Sequence, residues 1–205
     1  MLFSGQGGIR PLFTAVRTIL VCTLTLGVAY TALVTGLGQV LMPAQANGST
    51  FTDTSGETRG SALIGQSFLD ANGEPIAEYF QSRPSAAGDG YDGTASSGTN
   101  WGPENPDFIE AVKARRSQIA EFNGVAESAV PADAVTASSS GLDPHISVAY
   151  ADIQIERVAK ARQLDEQQVR DLVAAHTEQP ALGYLGEPVV NVAKLNLALD
   201  ELKGN

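Results

Sequence analysis

The sequence predicts an α+β protein with one N-terminal transmembrane helix and a single outer-side domain of about four helices and a few short strands. Three observations lead to this prediction. A long uncharged apolar segment lies near the N-terminus, four segments with helical periodicity follow it, and short apolar segments bounded by turn residues lie among those helices. Strands placed among helices, without a long regular alternation, are typical of α+β domains.

The transmembrane helix is predicted over residues 18–42, a stretch of 25 residues, and no charged residue occurs between Arg17 and Asp53. At about 1.5 Å per residue such a helix reaches roughly 37 Å, enough to cross a hydrocarbon core of about 30 Å. A cleaved signal peptide is the alternative, since Ala44-Gln45-Ala46 resembles a cleavage site. We favour an uncleaved helix, because the segment exceeds the roughly 7 to 15 apolar residues of a signal peptide.

The charges around this helix predict its orientation. Arg10 and Arg17 precede the helix, whereas the first charged residues after it are acidic, Asp53 and Glu57. Positive residues beside a membrane helix tend to remain in the cytoplasm. We therefore expect residues 1–17 to form a short cytoplasmic segment of an inner (plasma) membrane protein, with the C-terminal domain periplasmic or otherwise extracytoplasmic.

Small or polar residues recur at four-residue spacing along the helix. They are Thr23, Gly27, Thr31, Thr35 and Gln39. Residues four apart share a helix face, and small residues there allow a second helix to approach closely. Glycine and threonine are also common in membrane helices in general, so a partner helix is one of two interpretations.

The outer domain is predicted over residues 61–205, after a polar linker over residues 43–60. Without the two arginines before the helix, 11 basic residues face 23 acidic ones, a net charge of −12. This charge argues against nucleic acid as a partner, because phosphate binding needs clustered Lys and Arg. The only cysteine, Cys22, lies in the helix, so the domain has no disulfide, no Cys-ligated zinc and no thiol nucleophile.

The elements of the domain follow from turn and capping signals. Residues 61–68 form an apolar run between turn residues and predict a strand, and a second short strand is predicted before residue 191. Residues 70–101 are rich in Gly, Ser, Asp and Asn, and their aromatic residues favour a loop region folded onto the core over disorder. Helices are predicted from Pro106 to about 123, from about 147 to 163, from Asp165 as capping residue to about 177, and after the capping residue Asn191.

The serine loop, Val130 to Ser147, carries most of the candidate functional groups. They are Ser138, Ser139, Ser140, Gly141, Asp143 and His145. One interpretation is nucleophilic catalysis by a serine with His145 as base, although such groups normally come from distant segments and no G-x-S-x-G motif is present. A second is an anion cradle for ATP before the next helix, although no Walker motif is present.

A third interpretation of the serine loop is structural. Asp143-Pro144 forms a turn, Asp143 or Ser147 caps the next helix, and His145 hydrogen-bonds locally. His176 shares a helix face with apolar residues, and two isolated histidines predict no metal site. The sequence thus predicts no catalytic residue and no firmly bound cofactor or metal.

Tyr79, Phe80 and Arg83 are candidates for a contact with a protein partner, because Tyr and Arg are favoured in the centres of interfaces. The alternative for Arg83 is that it holds its loop to its own domain.

Seven segments, in a constant order, resemble those of one known family. They are GSALIGQSF, YFQSRPSA, SGTNWGPENP, VPADAVTASSSGLDPHIS, RVAKAR, HTEQPALGYLGEP and VNVAKLNLALD. With the N-terminal helix, they are similar to the C subunit of Kdp-type potassium-transporting ATPases over essentially the whole chain. The family reads SGGSN where this chain has Ser97 to Asn100, and TASGSG at Thr136 to Gly141. Ser139 in place of a glycine adds a side chain where a backbone would approach a ligand.

The resemblance implies a non-catalytic accessory subunit of an ATP-driven, high-affinity potassium uptake pump. The expected partners are a P-type ATP-hydrolysing subunit, a channel-like potassium-binding subunit and membrane lipid. The implied role is to stabilise the complex and to act as a catalytic chaperone that promotes ATP binding by the hydrolysing subunit. Because ATP is cytoplasmic, an outer domain would act through the membrane subunits as a coupling free energy, and ATP shared with the hydrolysing subunit is the alternative.

Two functions of other classes stay open at this point. An acidic outer domain could concentrate potassium at a pore mouth, or the domain could be an autonomous periplasmic hydrolase.

Overall fold

The computed structural model describes residues 8–202, in two compact units that meet between Ser49 and Thr50. The first seven residues of the predicted cytoplasmic segment and the last three of the predicted domain lie outside the described residues. The chain has the predicted class: an apolar N-terminal helix, further helices and two small sheets.

The first unit consists of helix α1 (Ile9–Leu41), which is long and apolar enough to cross a membrane, and the short helix α2 (Pro43–Ala46). Helix α1 begins nine residues before the predicted start, since Pro11 fits the first turn of a helix. It therefore includes Arg10 and Arg17 ahead of the uncharged span. Its middle, Thr23–Tyr30, has π-helical hydrogen bonding.

The second unit begins with the hairpin of β1 (Thr50–Thr52) and β2 (Thr58–Ser61), which lies in part of the predicted linker. Its turn is built on Asp53, whose Oδ1 accepts hydrogen bonds from the N–H groups of Ser55 (2.9 Å) and Glu57 (3.0 Å). An aspartate that bonds its own backbone two residues on is a turn signal. The domain therefore starts earlier than the sequence analysis placed it.

The strand predicted over residues 61–68 is wrong beyond its first residue. Ser61 Oγ accepts a hydrogen bond from Leu63 N–H (3.1 Å) and Ser61 O accepts one from Ile64 N–H (3.3 Å), which turns the chain at once. Leu63 remains 62% exposed. The apolar run was thus misread, because its side chains do not alternate between a buried and an exposed face.

The long loop 70–101 is folded onto the core, as its aromatic residues indicate. Phe80 is fully buried, and two buried side-chain amides bind the backbone around it. Asn196 accepts from Phe80 N–H and donates to Phe80 O, both at 2.9 Å. Gln154 does the same for Gln81, at 2.7 and 3.2 Å. Side chains thus supply the partners that a neighbouring strand would supply in a sheet.

The first predicted helix is confirmed as α3 (Pro106–Asn123). Asn105 Oδ1 accepts from Asp107 N–H (2.8 Å), and Gly124 ends the helix with φ +67°. A 3₁₀ turn (Glu127–Ala129) and the short helix α4 (Ala132–Val135) follow.

The helix predicted over 147–163 is divided into α5 (Val148–Asp152) and α6 (Ile155–Arg162). Between them, Gln154 N–H donates to Ala151 O (3.0 Å) in a turn. This turn carries the amide of Gln154 into the core, where it holds Gln81. The break therefore depends on a partner 73 residues away.

The third and fourth predicted helices are confirmed as α7 (Glu166–Ala175) and α8 (Val192–Leu202). Asp165 and Gln168 form a capping box at α7, and Asn191 Oδ1 accepts from Lys194 N–H (3.2 Å) at α8. Both starts were readable because capping groups lie next to the residues they cap.

A three-stranded antiparallel sheet lies among these helices, in the order β3 (His145–Ser147), β5 (Val189–Asn191) and β4 (Thr177–Glu178). The predicted strand before residue 191 is β5. The core joins this sheet to α5 through α8 and to the loop aromatic. Its largest fully buried apolar members are Phe80, Val135, Ile146, Ile155, Val158, Val169, Val190, Val192, Leu195 and Leu199.

Candidate functional site

The hydroxyls of the serine loop bind their own backbone. Gly141 N–H donates to Ser138 Oγ (2.9 Å), and Leu142 N–H donates to Ser140 Oγ (3.1 Å). Ser85 Oγ, from the long loop, donates to Gly141 O (2.6 Å). These donors and acceptors hold the loop in place, since each buried backbone group needs a partner.

Asp143 is the centre of the charged contacts in this loop. Its Oδ1 accepts from His145 N–H (3.0 Å) and lies 3.4 Å from His145 Nδ1, while its Oδ2 accepts from Arg83 Nη1 (2.9 Å). The hydrogen bond with the His145 side chain, with smaller contributions from its N–H and from the Arg83 charge, holds the pKa of Asp143 below its ordinary value of 3.8. Asp143 is therefore a carboxylate at neutral pH.

His145 lies between two carboxylates. Its Nε2 is 3.8 Å from Glu178 Oε2, and Glu178 Oε1 is 3.3 Å from Lys194 Nζ. Ser138 and Ser140 Oγ accept hydrogen bonds from backbone N–H groups, and the His145 ring lies beside carboxylates. The serine loop therefore does not bring the nucleophile and base of the hydrolase interpretation together. The imidazole instead joins β3 to β4 and α8.

The anion-cradle interpretation needs backbone N–H groups that point at a ligand. In the serine loop, the N–H groups of Gly141, Leu142 and His145 are already bound to side-chain oxygens. The helix after the loop, α5, has five residues, and Ser147 Oγ accepts from Tyr150 N–H (3.0 Å) at its start. Exposed Ser139 is the candidate without such a role, and the turn and cap of the structural interpretation are both present.

Arg83 holds the long loop to the serine loop. Besides its ion pair with Asp143, its Nε and Nη2 donate to Thr136 O, both at 3.4 Å. Tyr91 OH donates to Arg83 O (2.8 Å), and burial raises the pKa of Tyr91 to about 12. A cavity of about 480 Å³ opens beside Arg83, between the long loop and α3, with Arg115 and buried Tyr150 in its wall.

The two arginines of the RVAKAR segment bind the loop carbonyls ahead of Phe80. Arg157 donates to Ala77 O (2.6 Å), Tyr79 O (3.0 Å) and Asn123 Oδ1 (2.9 Å). Burial lowers the pKa of Arg157 to about 10. Arg162 donates to Glu78 O (2.6 Å) and to Asp200 Oδ1 (2.8 Å). The two arginines of this segment therefore fix the position of the loop backbone.

A groove of about 910 Å³ runs between the hairpin and α8, with Asp53, Asp200 and Glu201 in its wall. Two of these carboxylates have arginine partners. Asp53 Oδ2 lies 2.7 Å from Arg59 Nη2, and Asp200 Oδ1 lies 2.8 Å from Arg162 Nη2. Their charge is thus largely balanced, which weakens the groove as a site for cations.

Among the partner-contact candidates in the domain, the interpretation of Phe80 is corrected. Its side chain is fully buried in the core, so it cannot be an anchor for another protein. Tyr79 is half-buried, with its hydroxyl 3.2 Å from Asp200 Oδ2 and its ring 4.7 Å from the Arg162 guanidinium. Arg83 is occupied within the domain, as its alternative interpretation states. All three act first on their own fold.

In the first unit, Thr23, Gly27, Thr31 and Thr35 are exposed along α1. Two of them, Thr23 and Gly27, fall in the π-helical segment, a local widening that often marks functional positions. At the end of the stripe, Asn47 Nδ2 donates to Gln39 Oε1 (3.0 Å). Within the described residues, the side chains of the stripe are thus exposed.

One exposed apolar surface was missed by the sequence analysis. Between β4 and β5, Leu182, Tyr184 and Leu185 are 80%, 72% and 54% exposed. The signal in the sequence is an apolar cluster bounded by Gly and Pro residues, which has neither helix nor strand periodicity.

The second histidine, His176, makes a local contact: its Nδ1 is 2.9 Å from Leu172 O. No group of three or more His, Cys, Asp or Glu suited to a metal occurs within the described range.

Comparisons with known proteins agree over nearly the whole chain. The family model described as KdpC, K+-transporting ATPase, c chain, matches residues 12–201. The potassium-transporting ATPase KdpC subunit of Kineococcus radiotolerans is 50% identical over 191 residues, 93% of each chain. That of Geobacter metallireducens is 50% identical over 189 residues, 92% of this chain and 96% of its own. That of Mycobacterium tuberculosis is 47% identical over 194 residues, 94% and 99%.

Proposed function

Since this chain belongs to the KdpC family, the C chains of K+-transporting ATPases, we propose that it is a non-catalytic subunit that stabilises the pump and promotes ATP binding. Its partners are the P-type ATP-hydrolysing subunit and the channel-like potassium-binding subunit. The observation that carries the proposal is the internal use of the serine loop. Asp143 and His145 bind neighbouring side chains, and Ser138 and Ser140 bind backbone, so the loop is a scaffold.

The domain acts from outside the membrane in this proposal. Arg10 and Arg17 precede the uncharged part of α1, and the first charged residues after it are acidic, which favours a cytoplasmic N-terminus. Protease added to intact spheroplasts should then digest the domain. If the domain is digested only after the membrane is opened, the orientation is the opposite one, with the domain in the cytoplasm.

Helix α1 attaches the subunit to its partners through the small-residue stripe. Close approach of two membrane helices requires small side chains at their contact. The complex is solubilised in mild detergent and purified through a tag after Asn205. We expect both partner subunits to co-purify with the wild type, and to be lost when Thr23, Gly27 and Thr31 are replaced by leucine.

Ala29→Leu is the matched control, because residue 29 lies on the face opposite residues 27 and 31. It adds comparable bulk and should retain both partners. Recovery of this chain alone, cleaved after Ala46, would overturn the anchor and the subunit role together.

The effect on ATP is a coupling between two sites on opposite sides of the membrane. The domain stabilises the state of the pump that binds ATP, so this free energy appears as a higher affinity for nucleotide. The apparent KM for ATP of the other subunits should fall several-fold, about 1 kcal/mol or more of coupling, when this chain is added. If adding this chain restores assembly of the complex but leaves the KM for ATP unchanged, the subunit has a purely structural role.

A further inference from the structure

The β4–β5 loop, residues 181–185, carries the two most exposed large apolar side chains of the described domain. Leu182 is 80% and Tyr184 72% exposed, against 62% for Leu63, the next in rank. Leu185, 54% exposed, lies beside them. Isolated apolar residues on a surface are ordinary, but a cluster of three large ones marks an interaction site.

This loop has a defined shape. Gly183 N–H donates to Pro180 O and Leu185 N–H donates to Ala181 O, both at 2.9 Å. Leu182 has φ +55° and Gly183 φ +80°, so a bulky side chain is held in a left-handed conformation that it rarely adopts. Because the sheet strands β4 and β5 hold both ends, little backbone freedom is left to lose on binding.

The charges near the loop favour a protein over a lipid surface. From Thr177 to Asn191 the chain has no Lys or Arg, and Glu178 and Glu187 flank the apolar residues. Lys194 Nζ lies 3.3 Å from Glu178 Oε1, so this lysine is already paired with a carboxylate. Segments that bind anionic membranes combine apolar residues with Lys and Arg, which this loop lacks.

We infer that the β4–β5 loop is the element by which this domain docks onto another subunit of the pump, at an apolar pocket with a basic rim. This inference rests on the proposed function, which requires such subunits. Tyr184 and Leu182 are the anchors, since aromatic and large apolar side chains that enter a pocket supply most of the binding energy of an interface. Exposed Glu187 meets the rim and selects the partner by charge. A second copy of this acidic domain would bring like charges together.

The first test is retention of the partner subunits by the full-length chain in its complex. The double variant Leu182→Ser, Tyr184→Ser should retain them at least about tenfold less after a stringent detergent wash, the loss expected when central anchors are removed. Leu63→Ser, at another turn and 62% exposed, is the matched control and should retain them fully. The melting temperature of the double variant chain should equal that of wild type, because neither residue contributes to the core.

The second test places a photo-crosslinking amino acid at position 184 in the assembled complex in membranes. A crosslink to another pump subunit supports the inference, and the same probe at position 63 should give none. A crosslink to lipid or to a second copy of this chain, or no crosslink, overturns it. If wild type retains its partners and the double variant does too, the docking loop is wrong while the subunit role stands; if wild type retains none, the proposed function itself fails.

Discussion

Gly141 shows at the scale of one residue how tightly the serine loop is enclosed. Its φ is +69°, and a Cβ there would lie 2.7 Å from both Ala87 N and Ser97 O. Gly141→Ala therefore combines a strained backbone with a clash against backbone atoms at two positions of the long loop. We expect it to lower the free energy of unfolding by at least about 2 kcal/mol more than the matched change described next.

The matched change is Gly124→Ala, at the end of α3. Gly124 has nearly the same φ, +67°, but no atom lies within 4 Å of the added Cβ. It therefore measures the backbone strain alone, about 1 kcal/mol. Urea unfolding followed by circular dichroism compares the two variants, and equal losses would show that the loop yields to a side chain at residue 141.

Individual residue roles were predictable from the sequence where they are local. The Asp143 turn and the Ser147 cap involve neighbours two or three residues away. The burial of Phe80 was not predictable, because it depends on amides 73 and 116 residues distant. Residues 79–83 therefore resembled an interface segment, with an aromatic and an arginine that in fact serve their own domain.

At the scale of elements, α8 and the turn before α6 hold the long loop through their amides. Asn196, 1% exposed, binds both backbone groups of Phe80. Asn196→Ala should lower the free energy of unfolding by roughly 2–4 kcal/mol, because a buried N–H and a buried C=O lose their partners together.

Glu201→Ala, an exposed change on the same helix, is the control for this prediction and should alter stability by less than about 0.5 kcal/mol. Thermal or urea unfolding of both variants gives the comparison. A loss at residue 196 no larger than at residue 201 would mean that water replaces the amide and that the loop is not held by α8.

The elements also divide into those the sequence predicts and those it does not. Helices α3, α7 and α8 are preceded by Asn105, Asp165 and Asn191, whose side chains cap the first turn. The break between α5 and α6 allows Gln154 to contact a distant loop, and no residue pattern near the break predicts it. Leu63 likewise resembles a strand residue until the turn at Ser61 is known.

At the scale of the whole molecule, the chain consists of an anchor and a domain that differ in how they are stabilised. The described core lies between Phe80 and Leu199, and none of its members comes from residues 8–49. Along α1 no residue is buried within the unit itself. Under the proposed function, we expect the anchor to raise the effective concentration of the domain at its partner subunits.

A fragment starting at Thr50 should thus fold without the anchor. We expect its melting temperature, by circular dichroism, to match that of the domain in the full chain within about 4 °C, the shift that about 1 kcal/mol would cause, because the described buried core lies within residues 80–199. A fragment starting at Ser61 also lacks the hairpin, and with it the hydrogen bond from Gln66 Nε2 to Arg59 O (2.8 Å). It should melt several degrees lower, because hairpin and groove wall are lost together. Equal melting temperatures of the two fragments would show that the hairpin does not stabilise the domain, as expected for a linker. An unfolded Thr50 fragment would show that the anchor stabilises the domain itself.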